Sequence, residues 1–204
     1  RIGSGMFQAA IDAEVLLHES GKDYSLNPKF IKIKTPAVEH VFSVFKAPIT
    51  NLRPAKEITL ADAYKAVSKN HYRPVCEQIR TAPDKATASK LKAAKLPYFT
   101  FSGTFTKRAN EQLKKHSGLI CMDIDNLPPD ALPDVKTALL TDTHIETELL
   151  FTSPSGNGLK WVVAIDTSTP QEHYKYFQAI ENYLFSKHRL KTDKQCKDVA
   201  RACF

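Results

Sequence analysis

“SGLICMDIDNLPPD”, Ser117 to Asp130, is the stretch on which the fold turns. An apolar run leads straight into two aspartates one residue apart, and two prolines then close it. Read as a strand from Gly118 to Asp125, it alternates faces, so Asp123 and Asp125 point the same way. Two carboxylates side by side on one face repel unless a positive charge lies between them. A lysine or a divalent metal ion meets that need. The plainer alternative is a strand end whose aspartates cap a turn ahead of Pro128 and Pro129.

The residues that follow are regular. A short helix is expected from about Leu132 to Leu140, then a strand over “IETELLFTS” (Ile145–Ser153). The turn “PSGNG” leads to a strand over “LKWVVAID” (Leu159–Asp166). A long helix from Pro170 to about His188 carries Tyr174, Phe177, Ile180 and Leu184 on one stripe. After the basic run “KHRLKTDKQCKD”, which reads as a solvated face, a fourth strand is expected over “VARACF” (Val199–Phe204). The order β-α-β-β-α-β is the split βαβ, RRM-like arrangement. There the first and third strands are antiparallel neighbours and the fourth flanks the first. Asp123 and Asp125 then lie beside Lys160, which opens strand three, and beside Asp193 and Asp198, which precede strand four. Such oxygen ligands suit Mg²⁺ or Mn²⁺.

“SPSGNGLK” (Ser153–Lys160) reads as a hairpin turn, with Gly156 and Asn157-Gly158 as its turn residues. It also reads as a phosphate-holding loop, with Lys160 as a point charge beside it. As a surface lysine, Lys160 is expected to add little to stability.

The first half predicts a helix over Phe7–Ser20, with Phe7, Ile11 and Val15 on one face, and strands over Phe30–Thr35 and His40–Phe45. Thr59 with Asp62 forms a capping pattern before “LADAYKAV”. Pro74 opens another helix, and a lysine- and alanine-rich helix runs from about Asp84 to Lys95. “PYFTFSGTF” is an aromatic core strand broken at Ser102-Gly103, and Lys107–Lys115 is expected as a further helix. The expected fold class is α/β (α+β). Residues 1–6 read as a tag-derived scar, with 7–40 expected as an N-terminal helix and connecting segment and 41–116 as an N-terminal α/β module. That module packs on the RRM-like catalytic module, 117–204, which stops within a strand, as a piece cut from a longer protein would.

Composition narrows the classes. The 204 residues, 42% hydrophobic, suffice for one sizeable core or two small ones. No run approaches the ~20 apolar residues that span a bilayer, and no secretory signal opens the chain. The four cysteines form no C-x-x-C pair, which fits a reducing cytoplasm and argues against a disulfide framework or a cysteine-rich zinc site. The seven histidines show no zincin spacing. A net charge of +7 suits a polyanionic partner.

Taken together, D-x-D at Asp123, S-x-S-G-x-G-h-K from Ser153 and D-x₄-D-x-x-R from Asp193 resemble the core of archaeo-eukaryotic primases and primase-polymerases. The texture of “LPYFTFSGTF”, “HSGLICMDIDNL”, “SPSGNGLKWVV” and “KDVARACF” is similar to the VirE N-terminal-type domain. That domain fronts primase-helicase proteins of bacterial mobile elements. The likeness covers about Val41 to Phe204. It implies that Asp123 and Asp125 bind metal together with Asp193 or Asp198. It also implies that Lys160 stands where the family has a phosphate-contacting histidine. Ser153, Ser155, Gly156, Lys160 and Arg201 would hold triphosphate oxygens. The implied activity is two-metal nucleotidyl transfer, making primers from nucleoside triphosphates on single-stranded DNA for mobile-element or plasmid replication. A helicase domain in the same full-length protein is the implied companion. Two other classes stand beside it. One is a non-catalytic nucleotide- or nucleic-acid-binding module. The other is a haloacid-dehalogenase-type phosphohydrolase, which needs a parallel sheet and a threonine where this chain has Leu127.

Overall fold

The computed structural model describes Leu16–His18, Tyr24–Leu26 and residues 39–204 apart from Ser168. A short antiparallel hairpin comes first, β1 (Leu16–His18) with β2 (Tyr24–Leu26). The helix expected over Phe7–Ser20 is therefore strand at Leu16–His18; local pairing overrides a stripe of only three residues. The rest of that segment, and the strand expected over Phe30–Thr35, lie outside the described residues.

The next sheet is antiparallel, with β3 (Val41–Phe45) between β4 (Lys56–Thr59) and β5 (Tyr98–Thr100). Three helices join β4 to β5: α1 (Leu60–Ser68), α2 (Arg73–Arg80) and α3 (Lys85–Lys95). Each starts where its local chemistry dictates. Thr59 and Asp62 form the reciprocal capping box of α1. Pro74 lies in the first turn of α2, where no intrahelical N–H is needed. Asp84 accepts the Thr87 N–H at 2.8 Å to cap α3.

β6 (Gly103–Phe105) pairs antiparallel with β7 (Leu113–His116). The helix expected over Lys107–Lys115 does not form. A single 3₁₀ turn at Asn110–Gln112 gives way to β7. Leu113 pairs with Phe105 and His116 is buried against His173, so pairing at a distance outweighs the helical propensity of “KRANEQLKK”.

The last sheet is built from β8 (Leu119–Ile124), β9 (Thr147–Thr152) and β10 (Leu159–Ala164), with β10 in the middle and both pairings antiparallel. Helix α4 (Leu132–Leu140) joins β8 to β9, and α5 (Pro170–His188) follows β10. One face of this sheet packs on the helices. Ile120, Met122, Ile124, Leu159, Trp161 and Val163 meet Tyr176, Phe177, Ile180 and Leu184 of α5 in one core. The opposite face carries Leu119 and Val162, which pack with Phe42, Phe99 and Phe101 in a second core. Burial on both faces explains why “LICM” and “WVVA” read as unbroken apolar runs.

The fold is thus mixed α/β with small antiparallel sheets. No fourth strand forms over “VARACF”. Lys194–Lys197 makes a 3₁₀ turn, and Cys203 makes one isolated bridge to Phe99, exchanging two 2.8 Å hydrogen bonds with it. Val199, Ala202 and Cys203 are buried, so the alternation that looked like a strand serves packing. The chain end joins β5 instead of flanking β8. Among the described residues no helix is long and apolar enough to cross a membrane.

Candidate metal centre

Strand register places the first two charges together. Lys160 on β10 is the direct antiparallel partner of Asp123 on β8, so their side chains leave the sheet on the same face. Asp123 is 5% exposed and Lys160 7%, and the Lys160 ammonium contacts Asp123 Oδ2. Asp123 Oδ1 is buried and has no hydrogen-bond partner. A carboxylate oxygen left in that state costs free energy unless a ligand uses it.

Asp193 arrives from the far side of the sequence. Its backbone N–H donates to Asp123 O at 2.9 Å, and its Oδ1 accepts the Gln195 N–H at 2.9 Å to cap the 3₁₀ turn. Its Oδ2 meets the Arg201 guanidinium, which also lies 4.0 Å from Asp123 Oδ2. Asp125 stands one residue past the end of β8, exposed, on the same side. One carboxylate oxygen from each of Asp123, Asp125 and Asp193 lies within 4.8 Å of the others. Oxygens around a magnesium-sized ion sit ~2.1 Å from it, hence about 3–4 Å apart, so a small closure completes the set. The donors are hard oxygens, one of them unpartnered, and they fit a divalent cation.

The alternatives left open for the third acid resolve here. Asp193 joins the group; Asp198 ends the 3₁₀ turn and accepts the Arg201 N–H at 2.9 Å, outside the group.

The electrostatics follow from burial. Desolvation raises the Asp123 carboxyl above its usual range, against the pull of Lys160, while the charge of Asp125 raises it further. Burial opposes the Lys160 ammonium, but the negative charges around it, Asp123 among them, hold its pKa above that of an ordinary lysine. Lys92 of α3 also feels the group; burial and the Lys160 charge depress it. Lys160 is therefore a buried ion-pair partner, not the surface lysine expected from its place in “GLKW”.

The turn Ser153–Gly158 closes the site from β10. Gly158 is indispensable there: a Cβ would lie 2.7 Å from Ile124 O and 3.1 Å from Asp125 Oδ1. Gly156, at φ +82°, takes the left-handed conformation the turn requires. The N–H groups of Ser153 and Gly156 are used inside the turn, on Gly158 O and Ser153 O. What the turn offers a ligand is hydroxyls: Ser153 Oγ is buried and lies 3.3 Å from Ser155 Oγ. Arg201, partly exposed, is engaged by the acids.

The family model described as BT4734-like, N-terminal domain matches residues 91–204, more than half of the chain. The chain belongs to the BT4734-like N-terminal domain family. No curated protein and no solved structure matches it. The matched span of this BT4734-like domain holds all three acids, Lys160, Arg201 and the Ser153–Gly158 turn. One contributor escaped the sequence reading, and one lysine that feels the site's charges did too. Gly158 was legible only as a turn residue, and Lys92 sits in an alanine- and lysine-rich helix whose spacing carries no signal of a site.

Proposed function

We propose that this BT4734-like domain is a metal-dependent nucleotidyltransferase of the primase-polymerase type. It would build primers from nucleoside triphosphates on a single-stranded DNA template. The observation that carries this reading is the meeting of Asp123, Asp125 and Asp193, with Asp123 Oδ1 buried and unpartnered. Mg²⁺ or Mn²⁺ bound there would supply the means to activate a 3′-hydroxyl and to steady the transferring phosphate. Asp123, Asp125 and Asp193 would hold it. Lys160 and Arg201, which balance the acids in this structure, would meet the triphosphate oxygens, with the Ser153 and Ser155 hydroxyls. The order of the elements supports the reading in outline, as far as the third strand and second helix of an RRM-like fold. β8, α4, β9, β10 and α5 follow its order, and the segment from Asp193 onward supplies the acid expected before a fourth strand.

A second reading is a nucleotide- or nucleic-acid-binding module without turnover. It is favoured by one observation: Lys160 and Arg201 already neutralise two of the three acids. A haloacid-dehalogenase-type site does not fit the antiparallel pairings on both sides of β10. The deciding experiment incubates the protein with single-stranded DNA, nucleoside triphosphates and Mn²⁺ or Mg²⁺, and resolves the products by length. The expected result is metal-dependent oligonucleotide synthesis that Asp125→Asn abolishes. Metal-dependent nucleotide binding with no product would instead establish the second reading.

A further inference from the structure

Away from the acids, a cavity of about 800 Å³ opens between the β3–β4 sheet, helices α1 and α2, and the end of β9. That volume is in the range of small-molecule sites, roughly 300–1,000 Å³. Its floor is aromatic: the partly exposed Phe151, Phe204 and Tyr72 line it, over Phe45 and Phe99, which are buried beneath them. Its rim is cationic. Lys46, Lys56, Lys69, Arg73 and Arg80 line it against a single acid, Glu77.

Glu77 is already matched, pairing with Arg73 at 2.9 Å. The other four cations make no ion pair among the described residues. Arg80 donates its Nε–H to Pro154 O at 3.1 Å, which fixes the side chain and leaves the rest of its guanidinium fork free. An aromatic floor under four uncompensated positive charges calls for a ligand with a flat ring and several negative charges. We propose that this cavity is a second nucleotide site, which takes a free nucleoside polyphosphate without a metal ion. The base lies on the aromatic floor and the phosphates meet the lysines and Arg80.

None of Asp123, Asp125 and Asp193 lines the cavity, and it offers a metal no carboxylate beyond the paired Glu77. The Ser153–Gly158 turn separates the two places. Arg80 holds it at Pro154 on the cavity side, and Gly158 abuts Asp125 on the other. The aromatics converge inside one pocket rather than forming successive platforms, which favours a single free nucleotide over a strand. The site goes beyond the proposed catalytic function and stands whether or not the acids turn over nucleotides.

The test is calorimetric titration of ATP into the full chain in EDTA. The expected result is one-site binding that survives Asp125→Asn and weakens about tenfold or more in Lys46→Glu/Lys56→Glu. Both lysines are exposed, so the double variant keeps its fold, which circular dichroism checks. Adenosine and tripolyphosphate, each carrying half of the recognition, should bind more weakly than ATP. No binding in EDTA overturns the proposal, as does binding indifferent to the double variant, or a single-stranded oligonucleotide that displaces ATP from the cavity. Metal-dependent synthesis with no ATP binding in EDTA would sink this site and leave the catalytic reading standing. The reverse pattern would do the opposite.

Discussion

At the scale of single residues, the Lys160–Asp123 pair decides most. Both side chains are withdrawn from water, and each satisfies a charge the other would otherwise leave buried. Removing one partner of such a pair costs about 3–5 kcal/mol. Lys160→Ala should therefore lower stability by that order, contrary to what a surface lysine would do. Mn²⁺ should restore more stability to the variant than it adds to the wild type, because it supplies the missing positive charge. Urea unfolding with and without MnCl₂ measures both effects, and an unchanged midpoint in the variant would refute the buried-pair account. Gly158 makes a sharper steric demand. Gly158→Ala puts a methyl group against Ile124 O and Asp125, so it should cost about 1–3 kcal/mol and weaken Mn²⁺ binding as well. Unfolding and metal titration on the same variant report the two losses.

At the scale of elements, local chemistry and distant pairing divide the outcome. α1 begins at the Thr59–Asp62 box, and Thr59→Ala should cost about 1 kcal/mol, read as a shift in the urea midpoint. α5 begins at Pro170 behind the Thr169 cap and ends at His188, the span its sequence implies, with Arg189 as its left-handed C-cap. Trp161 turns to the α5 side of the sheet, opposite Lys160, and donates its indole N–H to Thr147 Oγ1 at 2.8 Å. Trp161→Ala should be among the most damaging substitutions, at about 3–5 kcal/mol by the same measurement. β7 and the C-terminal segment behave differently. Their residues have no caps or periodicity of their own that forbid a helix or a strand. They take the form that Phe105, His173 and Phe99 impose from elsewhere in the chain.

At the scale of the whole molecule, the core on the far face of the β8–β10 sheet joins residues from both halves of the chain, Phe42, Phe99 and Phe101 with Leu119, Leu149 and Val162. A pair of buried histidines makes this packing pH-sensitive. His116 Nε2 lies 3.1 Å from His173 Nδ1. Burial holds His116 down to about 4 and His173 to about 3, below the ~6.5 of an unfolded histidine. The unfolded chain then binds more protons in between, so stability is full above about pH 6.5 and falls as pH drops through 4. Urea midpoints from pH 8 to 4.5 should show that slope, and His173→Phe should flatten it. Neighbours along the chain are enough to set the helix caps, the alternation that puts Asp123 and Asp125 on one side, and the aromatic core strand. It takes the closed fold to bring Asp193 rather than Asp198 to them, to bury Lys160 on Asp123, and to bridge the chain end to Phe99. The physical reason is range: caps and strand alternation are set by neighbours along the chain. Ion pairs, pairing partners and burial are set by residues that meet only when the chain has closed on itself.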